Sequence, residues 1–221
     1  MQPTRHALIV RGGWEGHEPV EATKRFIPFL EENGFEVEIS ETLDVYLDAE
    51  KMARVDLVLQ LWTMGDATAE QVEGLAAAVR NGAGLAGWHG GVVDSFRNHP
   101  EYLQLTGGQF ATHPGGFRPH TVHLVPEKAD HPIVKGIDPS WDLYTEQYWT
   151  LTDSYNEVLA TTTYSPEEGA PWHRDVVQPA VWLRPWGEGR VFVSTIGHKL
   201  DDLEVPQVRT LTERGLLWAA R

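Results

Sequence analysis

The chain has 221 residues, 41% of them hydrophobic, which is enough to bury the core of one domain spanning residues 1–221, and no Pro-, Gly-, Ser- or charge-rich linker divides it. Lys and Arg total 18 against 32 Asp and Glu, a formal charge of −14, so the surface repels phosphate backbones and nucleic acid is not an expected partner. Cysteine is absent, which excludes disulfides and any thiolate nucleophile.

Ala7-Leu8-Ile9-Val10 is a short apolar run leading to Gly12-Gly13, the pattern of a buried strand that ends in a loop. The run is too short for a signal-peptide core or a membrane span, so a cytoplasmic protein without membrane contact is expected. Pro19 suits the first turn of a helix whose apolar side is Val20, Phe26, Ile27 and Leu30 and whose end is Asn33-Gly34. Phe35 to Ile39 alternates apolar and acidic residues, as a strand exposed on one face does. Val55 to Trp62 is almost continuously apolar, the composition of a parallel strand covered on both faces. Thr68-Ala69-Glu70-Gln71 reads as a capping box before the helical stripe Val72, Leu75 and Val79, closed by Asn81-Gly82. Ala83 to Trp88 is the next strand and runs into His89-Gly90-Gly91. Strand and helix alternating at this spacing predict a parallel sheet with right-handed crossovers. The second half is strand-rich: 119–125, 146–151, 158–163, 180–183 and 190–195, with Pro185 to Gly189 as a hairpin turn. Pro206 opens a last helix carrying Val208, Leu211 and Leu217.

In open parallel sheets, ligands bind beyond the carboxyl ends of the strands. His17, His89 and His198 each follow a predicted strand. Gly87-Trp88-His89-Gly90-Gly91 has the form G-x-H-x-G and echoes the strand-to-helix elbow that lifts a nucleophile above a sheet. A histidine held there can be an acid, a base or a metal ligand; the competing reading is a helix cap at a glycine-rich turn. Asp201 and Asp202 stand close enough to His198 in sequence to orient its imidazole or bind a cation, and equally suit a solvated helix start. Glu18, beside His17, suits the N-terminal end of a helix. His113 lies in the loop Thr112 to Gly116, whereas His120 and His123 point to opposite faces of one strand and His131 belongs to a turn. Glu146, among Tyr144, Tyr148 and Trp149, is a candidate acid or base with a raised pKa; an exposed strand residue is the alternative. Trp14, Trp62, Trp88 and Trp149 fall near strand ends, where indoles suit the C–H face of a sugar, although core packing is the ordinary role of any one of them. No zinc-binding spacing or nucleotide-binding motif is present, so a metal site has to be assembled from distant loops.

Taken in order, Gly12-Gly13 with His17, Gly84 to Gly90, Asp130-His131-Pro132-Ile133 with Gly136-Ile137, Tyr144 with Glu146-Gln147-Tyr148, Gly189 to Phe192 running to Gly197-His198, and Gly215 to Ala219 resemble the ThuA-like (trehalose utilisation) proteins of the class I glutamine-amidotransferase-like superfamily. The resemblance spans essentially the whole chain. It implies a flavodoxin-like three-layer α/β sandwich with a mostly parallel central sheet. It places His89 at the elbow that true amidotransferases give to cysteine, and His198 near their C-terminal triad histidine. Without a cysteine, amidotransferase activity is not expected. The resemblance implies an enzyme of trehalose or keto-glycoside catabolism: a hydrolase, lyase or isomerase acting on a sugar derivative. His89, His198 and Glu146 are its catalytic candidates, and His17, Trp14, Trp62, Trp88 and His113 its substrate-binding candidates. A divalent metal such as zinc is a candidate cofactor, with His17, His89, His113, Glu146 and His198 as candidate ligands. A non-catalytic carbohydrate-binding or regulatory protein is the alternative, and a twofold homodimer is the default assembly.

Overall fold

The first apolar run forms β1 (Arg5–Gly13) and is covered on both sides: Ala7 and Ile9 enter one hydrophobic layer, Leu8 and Val10 the other. This two-sided burial makes a strand of consecutive apolar residues stable, because alternate side chains point to opposite faces. β3 (Leu57–Thr63) repeats it, with Leu57, Leu59 and Leu61 on the first layer and Val58 on the second. The structure, a computed structural model, describes residues 4–221; Met1 to Pro3 lie outside the described residues.

The main sheet has nine strands. β2 (Phe35–Ser40), β1, β3, β4 (Gly84–Trp88) and β11 (Gly189–Ser194) lie side by side and parallel. Beyond β11 the sheet continues antiparallel through β10 (Val176–Trp186), β9 (Glu157–Tyr164), β6 (Phe117–Leu124) and β7 (Ser140–Glu146). The parallel part has the flavodoxin order, in which connections leave β1 in opposite directions and open a crevice between β1 and β3. On one face pack α1 (Pro19–Lys24), α2 (Ile27–Glu32) and α7 (Pro206–Ala219), through Ala22, Phe26, Leu30, Val208, Leu211 and Leu216. On the other pack α3 (Ala49–Met52), α4 (Ala69–Arg80) and α6 (Pro100–Thr106), through Met52, Val72, Leu75, Val79, Tyr102 and Leu105. No helix among the described residues is long and apolar enough to cross a membrane.

Three expectations change. The helix predicted after Pro19 is two helices, because Pro28 has no N–H to offer Lys24 and its ring crowds that carbonyl, so the chain breaks at Arg25-Phe26 and restarts. Val20, assigned to the apolar side, is exposed. The predicted strand 146–151 is also two pieces: Glu146 closes β7, and β8 (Trp149–Thr152) leaves to pair with β5 (Gly108–Thr112) in a separate two-stranded sheet. The late hairpin is as read, with Trp186 opposite Gly189 across a two-residue turn.

The capping box is present: Thr68 Oγ1 accepts from the Gln71 amide at 3.2 Å and Gln71 Oε1 accepts from the Thr68 amide at 2.8 Å. Thr68→Ala is expected to cost about 1 kcal/mol, read as a lower denaturation midpoint with an unchanged m-value. α5 (Gly90–Val93) lies on β3 so closely that a Cβ at Gly91 would stand 2.8 Å from the Leu61 Cα. Gly91→Ala is expected to destabilise by about 1–3 kcal/mol through overpacking; a melting temperature equal to the parent's would refute that close approach.

Candidate functional site

β4 ends at Trp88, and the next residue, His89, adopts φ 49° and ψ −142° before α5 begins. A left-handed φ is costly for a side chain with a Cβ and persists only where packing enforces it. The turn is closely packed: a Cβ at Gly90 would stand 2.6 Å from His17 Cε1. His89 is the N-cap residue of α5 and its carbonyl accepts from the Val93 amide at 3.1 Å, but its side chain makes no capping hydrogen bond and the turn lifts the imidazole over the strand ends. The other described non-glycine residues with left-handed φ are Glu18, Met64 and Phe96, and Met64 directly follows β3. Backbone strain thus gathers around the same end of the parallel strands.

At that end His17, His89 and His198 come together. His17 sits on a 3-10 turn (Glu15–His17) after β1 and is buried, with Nδ1 2.8 Å from Thr63 Oγ1 at the end of β3. This contact spans the β1/β3 crevice. The His17 ring centroid is 4.7 Å from those of His89 and His198, which are 5.2 Å apart. His89 Nδ1 is 2.8 Å from the carbonyl oxygen of Thr195, just past β11. A carbonyl has no hydrogen, so Nδ1 donates and the lone pair of the neutral ring lies on Nε2. Glu146, delivered by β7, places Oε2 3.2 Å from His89 Nε2 and 3.1 Å from His198 Nδ1. Its Oε1 is 3.5 Å from His113 Nε2, which follows β5. The Tyr148 ring stacks on His89 with centroids 4.0 Å apart.

Burial, followed by the neighbouring imidazoles of His89 and His198, holds the His17 ring down at a pKa of about 3. Burial also lowers His89, against the opposing pull of Glu146 and the Thr195 carbonyl. For Glu146, burial pushes upward, but the imidazoles of His198 and His89 outweigh it and keep the carboxylate well below its usual range. The expected raised pKa is therefore corrected. Tyr144 is exposed and Tyr148 lies flat on His89, so imidazoles and not phenol rings surround the carboxylate. The centre is an ionised carboxylate close to two rings, His17 and His89, that burial pushes toward the neutral form.

The remaining candidates divide. Trp14 is 47% exposed and stands edge-on to His17 at 4.8 Å, at the rim of the cluster. Trp62 points to the sheet face opposite Thr63, half-buried over Gly12, and not to the histidines. Trp88 is 1% exposed, with its ring 4.9 Å from Phe26, and is core; a substrate platform it is not, because its side chain leaves β4 on the face that α1 and α2 cover. Trp149 packs on Tyr164 and Trp172, away from the cluster. Asp202 is buried and accepts from Thr145 Oγ1 at 2.6 Å and the Lys199 amide at 3.0 Å, so it holds β7 to the 199–204 turn and does not orient His198; Asp201 is exposed. Glu18 is an exposed residue at the start of α1. His120 and His123 do face opposite ways, and His131 Nδ1 accepts from the Ile133 amide within its own turn.

Sequence reasoning overlooked Thr63, Thr195 and Phe117, and it named Tyr148 only as a neighbour of Glu146, not as a ring stacked on His89. Thr63 and Thr195 each follow or end a parallel strand, so the same strand-end filter would have found them if applied to hydroxyl and backbone groups. Phe117, 41% exposed with its ring 4.8 Å from that of His198, carries no local signal. Lys199 Nζ lies 4.8 Å from the centroid of that ring.

The family model for ThuA, described as trehalose utilisation, matches residues 6–219. Among solved structures, a ThuA-like protein of Parabacteroides merdae superposes with a TM-score of 0.76 at 18% identity, covering 98% of this chain and 90% of its own. A ThuA-like protein of Bacteroides uniformis gives a TM-score of 0.72 at 21% identity, covering 100% and 91%. A cytoplasmic protein of Salmonella typhimurium gives 0.66 at 14% identity, covering 98% and 100%. No match was found among curated protein sequences. At these identities the superpositions establish the fold, and the family model, which spans nearly all the sequence, establishes the lineage: the chain belongs to the ThuA (trehalose utilisation) family.

Proposed function

We propose that the protein is an enzyme of carbohydrate catabolism that acts on a trehalose-related or keto-glycoside substrate at the His17–His89–Glu146–His198 cluster. The reaction class is hydrolysis, elimination or isomerisation by proton transfer or metal assistance. Amide transfer is not part of this reading, because no thioester can form in a chain without cysteine. A cytoplasmic setting is, and the description of the Salmonella neighbour supports it.

One observation carries the proposal: a carboxylate and three imidazoles from four separate segments converge where parallel strands end, beside a backbone turn held in a strained conformation. One acid and three bases gathered in a largely buried cluster at the strand ends favour a functional role over a purely structural one. The rim suits a sugar. Trp14 and Phe117 present exposed ring faces or edges to an apolar C–H surface, and His113 and Lys199 bring polar groups to hydroxyls. A carbonyl in the sugar ring acidifies the neighbouring C–H, so a positioned base and one oxyanion stabiliser are enough for chemistry.

The test is turnover across a panel of glycosides and their keto derivatives. His89→Ala is expected to lower kcat by about 100-fold or more while the substrate dissociation constant changes by less than about tenfold. Parent protein that binds a sugar yet turns over no member of the panel would mark a binding protein and end this reading. Gly90→Ala offers a second check, since its methyl would displace the His17 ring: kcat is expected to fall about tenfold with the far-UV spectrum preserved.

A further inference from the structure

We infer that His89 Nε2, His198 Nδ1 and Glu146 Oε2 form one face of a binding site for a divalent first-row transition cation of the zinc type, with His17 as the fourth ligand. The inference deepens the reading above and rests on the same cluster, but not on turnover.

The distances are the first argument. The three atoms are separated by 3.2 Å, 3.2 Å and 3.1 Å, a nearly equilateral triangle. Four bonds of about 2.0–2.1 Å in a tetrahedron have edges of about 3.3–3.4 Å, so the triangle is the size of one face of a tetrahedral zinc centre. One ligand atom from His17 completes a set in which all four lie within 4.8 Å of one another.

The second argument is the shortage of hydrogens. A neutral His89 spends its one N–H on the Thr195 carbonyl, and its Nε2 then faces Glu146 with a lone pair. The carboxylate oxygen offers only lone pairs as well. Two acceptors at 3.2 Å repel unless positive charge stands between them. A proton on His198 Nδ1 can point at one of them; a cation at the centre of the triangle bonds all three.

The surroundings form the third argument. Imidazole ligands of metals characteristically donate their outer N–H to a carbonyl or a carboxylate, which fixes the tautomer and aims the ring. His89 does so through Thr195, and His17 has the equivalent contact from Nδ1 to Thr63 Oγ1. His113 flanks the other oxygen of Glu146. His17 and His89 are buried, and the donors ride on the ends of β1, β4, β7 and β11, so the cage is preformed. Three imidazoles and one carboxylate match the N and O preference of zinc and its neighbours over calcium or magnesium. Such a cation, which accepts a fifth ligand, would offer Lewis acidity to a sugar carbonyl or hydroxyl oxygen arriving past Trp14 and Phe117.

Chelator-treated protein titrated with Zn2+ and, separately, Co2+ in a calorimeter tests this, with elemental analysis of untreated protein alongside. One ion per chain with a dissociation constant below about 1 μM is expected. His89→Ala and Glu146→Gln should each weaken binding by about 100-fold or more, and Thr63→Val by about tenfold through loss of His17 positioning. Co2+ bound to the parent should also show visible d–d absorption that Zn2+ displaces, a readout that does not depend on how well any variant folds. Parent protein that takes up neither ion, or uptake that survives both His89→Ala and Glu146→Gln, overturns the inference. Sugar turnover by parent protein that takes up neither ion would sink the metal site alone, whereas tight Zn2+ binding without turnover of any sugar would sink the enzymatic reading alone.

Discussion

The left-handed turn at His89 is the constraint on which the site depends. β4 is buried on both faces, so every side chain within it is committed to packing, and Trp88 illustrates the outcome. Only a residue that leaves the pleat can project along the strand axis into the crevice. A positive φ does this, and its cost, of order 1–3 kcal/mol, is tolerable only because the following helix is pinned to β3 by side-chain-free contacts at Gly90 and Gly91. The same contact brings the His17 ring against the turn. Local strain, helix packing and the meeting of two imidazoles are therefore one structural event.

The second half of the chain exists, from the standpoint of the site, to bring the carboxylate. The parallel strands end in imidazoles, and the carboxylate of the cluster comes from elsewhere. The sheet is extended antiparallel past β11, and its far edge, β7, returns Glu146 to the histidines. Glu146 lies 57 residues from His89 in sequence, and His198 lies 109 from it. Such non-local contacts form late in folding, after the entropy of closing long loops has been met. The centre thus depends on the register of the whole sheet, and the Thr145–Asp202 hydrogen bond ties β7 to the loop that follows His198.

Much of this was legible because it obeys short-range rules. Continuous apolar runs marked β1, β3 and β4; Thr68 and Gln71 marked a helix start; the strand-end filter singled out His17, His89 and His198. What escaped depends on partners. β5 is short and half-exposed, and it becomes a strand only because β8 lies beside it. β7 buries Trp141, Leu143 and Thr145 on alternate positions, a pattern that was readable but interrupted by exposed polar residues. Trp88 and Trp14 look alike in sequence as aromatics beside a strand end. One lies inside the pleat and the other beyond it, and that single position decides whether the ring is core or rim. Pro28 was a breaker in plain sight, and one proline was sufficient to divide a helix whose apolar spacing argued for continuity.

The elbow also shows why a fold constrains chemistry less than it constrains position. The turn presents one side chain to the crevice whatever that side chain is. A thiol there, activated by a neighbouring histidine, attacks carbonyl carbon; an imidazole there, with its outer N–H tied to Thr195, cannot rotate and offers a fixed lone pair instead. Thr195 belongs to β11's exit, so the sheet that positions the ring also sets its tautomer. On the proposed reading, a histidine at this turn moves protons or holds a cation, where a cysteine would form bonds to substrate carbon. Glu146 then has a reason to sit where it does, since a negative charge would hinder a thiolate but complements an imidazolium or a metal ion.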